Sequence, residues 1–162
     1  MSQEKRYKDS KNKTSIEDGL GFQDLVMDTL AEHGIIVQNY TSKEYQFNIG
    51  ENRQGIEIKL DNRCTETGRL SIEIAEKTAI DNPWVKSGIY RADSWLYVHG
   101  NKTKIWVFFT DFLRQLHKSK SKGYEESEKA TIKTFYMPIE DANKYGKCFD
   151  TIHRLSGDDP PF

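Results

Sequence analysis

Glu51-Asn52-Arg53-Gln54-Gly55-Ile56-Glu57-Ile58-Lys59-Leu60 is the stretch whose reading decides the fold. Ile56, Ile58 and Leu60 alternate with Glu57 and Lys59, which is the period of a β-strand with one apolar and one charged face. Glu57 and Lys59 then point the same way, about 7 Å apart along the strand at a rise of roughly 3.3 Å per residue. Glu51 precedes them across a polar segment bounded by Gly50 and Gly55. If that segment turns, two carboxylates and one ammonium converge on a sheet edge. Two carboxylates can hold a hard cation such as Mg²⁺. Such an ion polarises a phosphoryl oxygen and activates water, and a lysine beside it can orient that water or stabilise developing charge. The competing reading is a solvated strand face with an ordinary Glu-Lys pair.

Upstream, Ser15 and Asp18 resemble a capping box, and Leu20, Phe22, Leu25, Val26, Leu30 and Ala31 recur at helical spacing up to Gly34. A regular helix is expected from near Gly21. Ile35-Ile36-Val37 opens a short strand ending near Tyr40. Tyr45 to Ile49 alternates again, with Gln46 and Asn48 on the polar side, so residues 45–60 are expected to form a hairpin-like pair.

Downstream, Asp61 to Gly68 reads as a polar loop. Leu70 to Glu76 is a strand with Ser71, Glu73 and Ala75 on one face. Asp81-Asn82-Pro83 and Ser87-Gly88 mark loops. Trp95–Val98 and Ile105–Phe109 are strands joined at His99-Gly100-Asn101-Lys102. Thr110 or Asp111 caps a second helix that runs into Lys118-Ser119-Lys120-Ser121-Lys122-Gly123. Glu125–Lys129 reads as a charged surface loop, Thr131–Tyr136 as an edge strand, and Ile139–Leu155 as short helical pieces. Trp84, Trp95 and Trp106 are read as core rather than base-stacking platforms. The boundaries are a polar tail over residues 1–14, one domain over 15–155 and a tail over 156–162.

Composition bounds the function. With 162 residues the chain is long enough for a core. Lys+Arg number 24 against Asp+Glu 25, so nucleic acid would have to be held by a local patch. Cys64 and Cys148 form neither a Cys-x-x-Cys pair nor a disulfide framework, and a cytoplasmic setting, in a bacterium or an infected host cell, is expected. The histidines lack a His-Glu-x-x-His pattern. Walker A and Gly-x-Gly-x-x-Gly loops are absent, which leaves zinc hydrolysis and nucleotide binding without support.

The order helix, strand, hairpin with an acid and Glu-x-Lys, strand, then strands and a helix resembles the PD-(D/E)XK nuclease superfamily over residues 16–117, most sharply at Glu51 and Glu57-Ile58-Lys59. The resemblance implies an α/β (α+β), restriction-endonuclease-like fold, a central mixed β-sheet flanked by helices. It implies a metal-dependent DNA endonuclease, with Mg²⁺ (Mn²⁺ in vitro) held by Glu51 and Glu57 and water positioned by Lys59. Glu51 is longer than the family's usual Asp and close to Glu57, so Gln46 is a rival for that place. Gln23 stands where relatives carry a helix glutamate, and Glu73 is a candidate supporting residue. Lys77, Lys86 and Ser87 are candidate DNA contacts, with Arg91 and the lysines from Lys118 to Lys122 completing a salt-sensitive surface. A homodimer would suit cutting of two strands. The alternative is a non-catalytic nucleic-acid-binding or protein-interaction module on the same fold.

Overall fold

The computed structural model describes residues 18–19, 21–36 and 55–151. Both expected tails, the segment from Val37 through the Tyr45–Ile49 strand with Gln46, and Glu51 lie outside them.

Helix α1 covers residues 21–32. Phe22, Val26 and Leu30 recur every four residues and are buried, so they form one stripe. Gly34 ends the helix at φ +80°, the left-handed conformation that glycine adopts without a Cβ penalty. Ile35 and Ile36 are not in a strand; the Ile35 N–H closes back on Leu30 O.

Four strands form a mixed sheet in the order β1-β4-β5-β8: β1 (Ile56–Leu60), β4 (Leu96–Gly100), β5 (Lys104–Phe109) and β8 (Lys147–Asp150). β1 and β4 run parallel, while β4–β5 and β5–β8 are antiparallel. A second, antiparallel sheet has the order β3-β2-β7-β6: β3 (Val85–Lys86), β2 (Arg69–Glu76), β7 (Ile132–Pro138) and β6 (Glu126–Lys129). Helices α2 (Cys64–Thr67), α3 (Thr110–Ser119) and α4 (Ile139–Tyr145) and a 3-10 turn (Gly88–Tyr90) connect these strands. The protein is thus mixed α/β, but two sheets stand where one was expected.

Two apolar clusters hold the layers. Phe22, Val26 and Leu30 of α1 meet Ile56, Ile58, Leu96, Val98 and Ile105 of the first sheet. Leu70, Ile72, Ile74, Phe135 and Met137 of the second sheet meet Tyr97, Trp106 and Phe108 of the first, together with Leu113 of α3 and Ala142 of α4. Full burial of each Val, Leu, Ile, Phe or Met among them is worth about 1.5–3 kcal/mol.

Several elements depart from expectation. Glu126–Lys129 is a strand, not a loop: its exposed polar side chains lack a hydrophobic alternation, and the backbone pairs with β7. β7 is consequently an inner strand, and Pro138 stands at its last position beside Arg69. β8 lies inside the segment expected to be helical. β4 continues through His99 and Gly100, because the Asn101 carboxamide oxygen accepts the N–H groups of Thr103 and Lys104 and makes the turn two residues later. Of the tryptophans only Trp106 is fully buried; Trp84 is half-buried and Trp95 is 53% exposed. Among the described residues no helix is long and apolar enough to cross a membrane.

Candidate functional site

Both faces of β1 are covered. Ile56 and Ile58 face α1, and strand alternation sends Glu57 and Lys59 to the opposite side. The charged face is therefore not a solvated one: Glu57 is only 3% exposed. Its Oε1 lies 2.8 Å from Lys59 Nζ, and its Oε2 lies 3.4 Å from the Arg91 guanidinium. The Lys59 ammonium is the ion-pair partner of Oε1, and among the described residues Oε1 has no other donor.

Lys59 Nζ is also 3.2 Å from Glu73 Oε2. One ammonium thus joins buried carboxylates from two sheets. Ser87 Oγ donates to Glu73 Oε1 at 2.5 Å, and the Glu73 N–H donates to the Tyr97 hydroxyl at 3.3 Å. Burial pushes the Tyr97 phenol far above its ordinary range and keeps it neutral. Glu57 and Glu73 against Lys59 and Arg91 balance to zero, and Asp93 approaches Arg91 at 3.7 Å. Uncompensated charge at this depth would cost several kcal/mol, which explains the chain of alternating signs.

The turn that carries Ser87 and Arg91 is tightly determined. Gly88 has φ +54°, and a Cβ there would fall 2.2 Å from Glu73 O. Arg114 of α3 donates to the carbonyls of Ile89, Arg91 and Ser94, while its Nη1 pairs with Asp111 at 2.7 Å.

Two further constellations adjoin. At the end of β1, Asp61 Oδ2 meets Nε2 of buried His99 at 3.1 Å. Burial pushes the Asp61 carboxyl up, but the hydrogen bond and charge of His99 and the N–H groups of Ser71 and Arg63 outweigh it, and the net direction is down. Burial and the Asp61 charge push the nearby Cys64 thiol up to about 11. On α3, His117 bonds Tyr90 through Nδ1 (2.6 Å) and Glu126 through Nε2 (2.8 Å). It stands beside a cleft of about 210 Å³ lined by Leu116, Lys120, Lys122, Gly123 and Tyr124.

Of the residues singled out in the sequence, Glu57, Lys59, Glu73 and Ser87 come together. Glu51 and Gln46 lie outside the described residues. Gln23 is half-buried on α1, which packs on the other face of β1, and among the described residues it makes no hydrogen bond to Glu57, Lys59 or Glu73. Ser87 does not offer its donors to a phosphate: its hydroxyl serves Glu73 and its N–H serves Ile74 O. Lys77 instead donates to Ile80 O and covers the Trp84 ring, and Lys86 is exposed on β3. Arg91 as the partner of Glu57, and Arg114 as the clamp on its turn, carry no sequence signal, because both act on groups distant in the chain. Among the described residues no three His, Cys, Asp or Glu side chains form a metal-ligand group. No family model, curated protein or solved structure matches the chain.

Proposed function

We propose that the protein is a Mg²⁺-dependent DNA endonuclease of the PD-(D/E)XK type, with the restriction-endonuclease-like fold that this implies. The observation that carries the reading is the Lys59 ammonium held between the buried carboxylates of Glu57 and Glu73. A lysine between two acids is the group set that phosphodiester hydrolysis uses. The donor chemistry suits the metal: Mg²⁺ binds through one or two carboxylates and keeps several waters, and among the described residues Glu57 Oε1 has no donor besides its Lys59 ion pair. Glu57 and Glu73 would hold the ion, with Glu51 as the resemblance's further assignment. When bound, Mg²⁺ (Mn²⁺ in vitro) supplies charge that polarises a phosphoryl oxygen.

The chain's own residues do the rest. Lys59, one-quarter exposed, presents its ammonium to an incoming phosphate and to the charge that builds on it. Arg91, three-tenths exposed at the mouth of the cluster, offers a planar fork of donors matched to phosphate oxygens. Ser87 orients Glu73.

One observation favours a second reading, a nucleic-acid-binding or protein-interaction module without catalysis. The four charges already neutralise one another, as they would in a purely structural network. Mn²⁺ titration together with cleavage of plasmid and branched DNA separates the two. Stoichiometric Mn²⁺ binding with metal-dependent cleavage supports the nuclease. Absence of both, with DNA affinity that still falls as salt rises, supports the module.

A further inference from the structure

His99 is buried, its Nε2 is bound to Asp61, and its Nδ1 has no hydrogen-bond partner among the described residues. Asp61 also accepts the N–H groups of Ser71 and Arg63, which fix it as an acceptor. The hydrogen between Asp61 and His99 therefore sits on Nε2, and in the neutral ring Nδ1 carries the lone pair. An unpaired buried acceptor is costly, and it calls for a donor at this position.

The second observation is placement. In the parallel ladder Lys59 is the register partner of His99, and Glu57 is the partner of Tyr97. Paired residues of neighbouring strands project to one side of the sheet, so His99 shares its face with Glu57 and Lys59. Among the described residues the other buried side-chain atom without a hydrogen-bond partner is Glu57 Oε1, the ion-pair partner of Lys59, and it lies on that same face. Both atoms are acceptors on one face of the sheet, and water is a donor to acceptors of this kind.

Building on the endonuclease reading, we infer that His99, held by Asp61, is the proton acceptor for the attacking water at the Glu57–Lys59–Glu73 site. One water O–H bond breaks, its proton passes to Nδ1, and its electron pair stays on oxygen. That oxygen attacks phosphorus, and the bond from phosphorus to the leaving oxygen breaks. The leaving oxygen keeps that electron pair and takes a proton from solvent. Asp61 stabilises the imidazolium, which then returns its proton to solvent and restores the balance. The titratable groups around His99 are Lys59 on β1, Asp61 just past its end, Cys64 on α2, Tyr97 on its own strand and Glu73 on β2. Lys59 is the one that reaches solvent most directly, and the path of water and protons runs along it.

The test uses the full chain with Mg²⁺ and plasmid DNA, and compares the parent with His99→Gln and Asp61→Asn. Both variants should lose kcat by on the order of 10²–10⁴ while KM and Mn²⁺ affinity stay near the parent's. The acid limb of the kcat–pH profile should disappear in His99→Gln. The ring ¹⁵N spectrum of the parent should show hydrogen on Nε2 and none on Nδ1. A folded His99→Gln that cuts with the parent's pH profile overturns the inference, as does a parent ring protonated on Nδ1. If neither variant folds, the parent's ring spectrum decides. A parent that cuts no DNA with either metal removes the endonuclease reading and this inference together, whereas a cutting parent with unaffected variants removes this inference alone.

Discussion

The chain holds two kinds of ion pair, and their surroundings separate them. Arg63, at the N-cap of α2, and Glu66 within it meet at 3.4 Å with 72% and 70% of their side chains exposed. Glu57 and Lys59 meet at 2.8 Å with 4% and 27% exposed. The first pair exchanges partners with water at almost no cost. The second cannot, because losing one partner strands a charge away from solvent. Position rather than pairing makes the inner network able to support both stability and chemistry.

The strongest way to break the comparison is Lys59→Ala. It removes the cation that Glu57 and Glu73 share, and cleavage should fall by on the order of 10²–10³. Stability should fall as well, by about 3 kcal/mol, read as a shift in the urea midpoint. Reading Glu57 and Lys59 as a solvated face would have predicted an intact fold, so an unchanged midpoint would return them to that status. Gly88→Ala comes next. A Cβ at φ +54° and 2.2 Å from Glu73 O should cost about 2 kcal/mol or more and displace Ser87 from Glu73. Urea unfolding together with Mn²⁺ affinity checks both effects.

Proton linkage gives a gentler probe. The Cys64 thiol is raised from 9.0 to about 11, with burial the largest cause. A raised thiol contributes stability that is complete below the unfolded value and is lost as pH climbs toward the folded one. Thermal unfolding followed from pH 8 upward should show this decline, and Cys64→Ser should reduce it. The smallest effect belongs to the outer pair: Arg63→Ala should shift stability by no more than about 0.5 kcal/mol, measured in the same urea assay. A larger loss there would erase the contrast drawn between the two networks.

The sequence disclosed the site unevenly. Alternation marked β1, β2, β4 and β5 because each has a sided apolar pattern, and the 3.6-residue stripe marked α1 and α3. It was blind to β6, whose Glu-Ser-Glu-Lys run is polar on both sides and is a strand only because β7 pairs with it. Glu57 was recognisable as a partner of Lys59, but its burial was not: period 2 shows that a face is polar, not that a second layer covers it. Glu73 could be nominated from its own strand. The bond from Ser87 and the ion pair from Arg91 could not, since they depend on a turn returning to β1 and β2 across loops whose geometry no local pattern dictates. The second sheet was illegible for the same reason: strands can be found from a window of residues, whereas pairing is decided between windows.

The three carbonyls gathered by Arg114 also bear on time. The turn carrying Ser87 and Arg91 is fastened by a residue on α3, 20 to 25 positions beyond the carbonyls it holds. Closing such a loop precedes the gain from its contacts. A chain emerging from the ribosome therefore has β1 and β2 before it can set the turn between their carboxylates, and the cluster matures only when α3 docks. Amide protons of residues 88–94 should gain exchange protection together with those of α3, later than those of β1 and β4, whose ladder is complete before α3 in the chain.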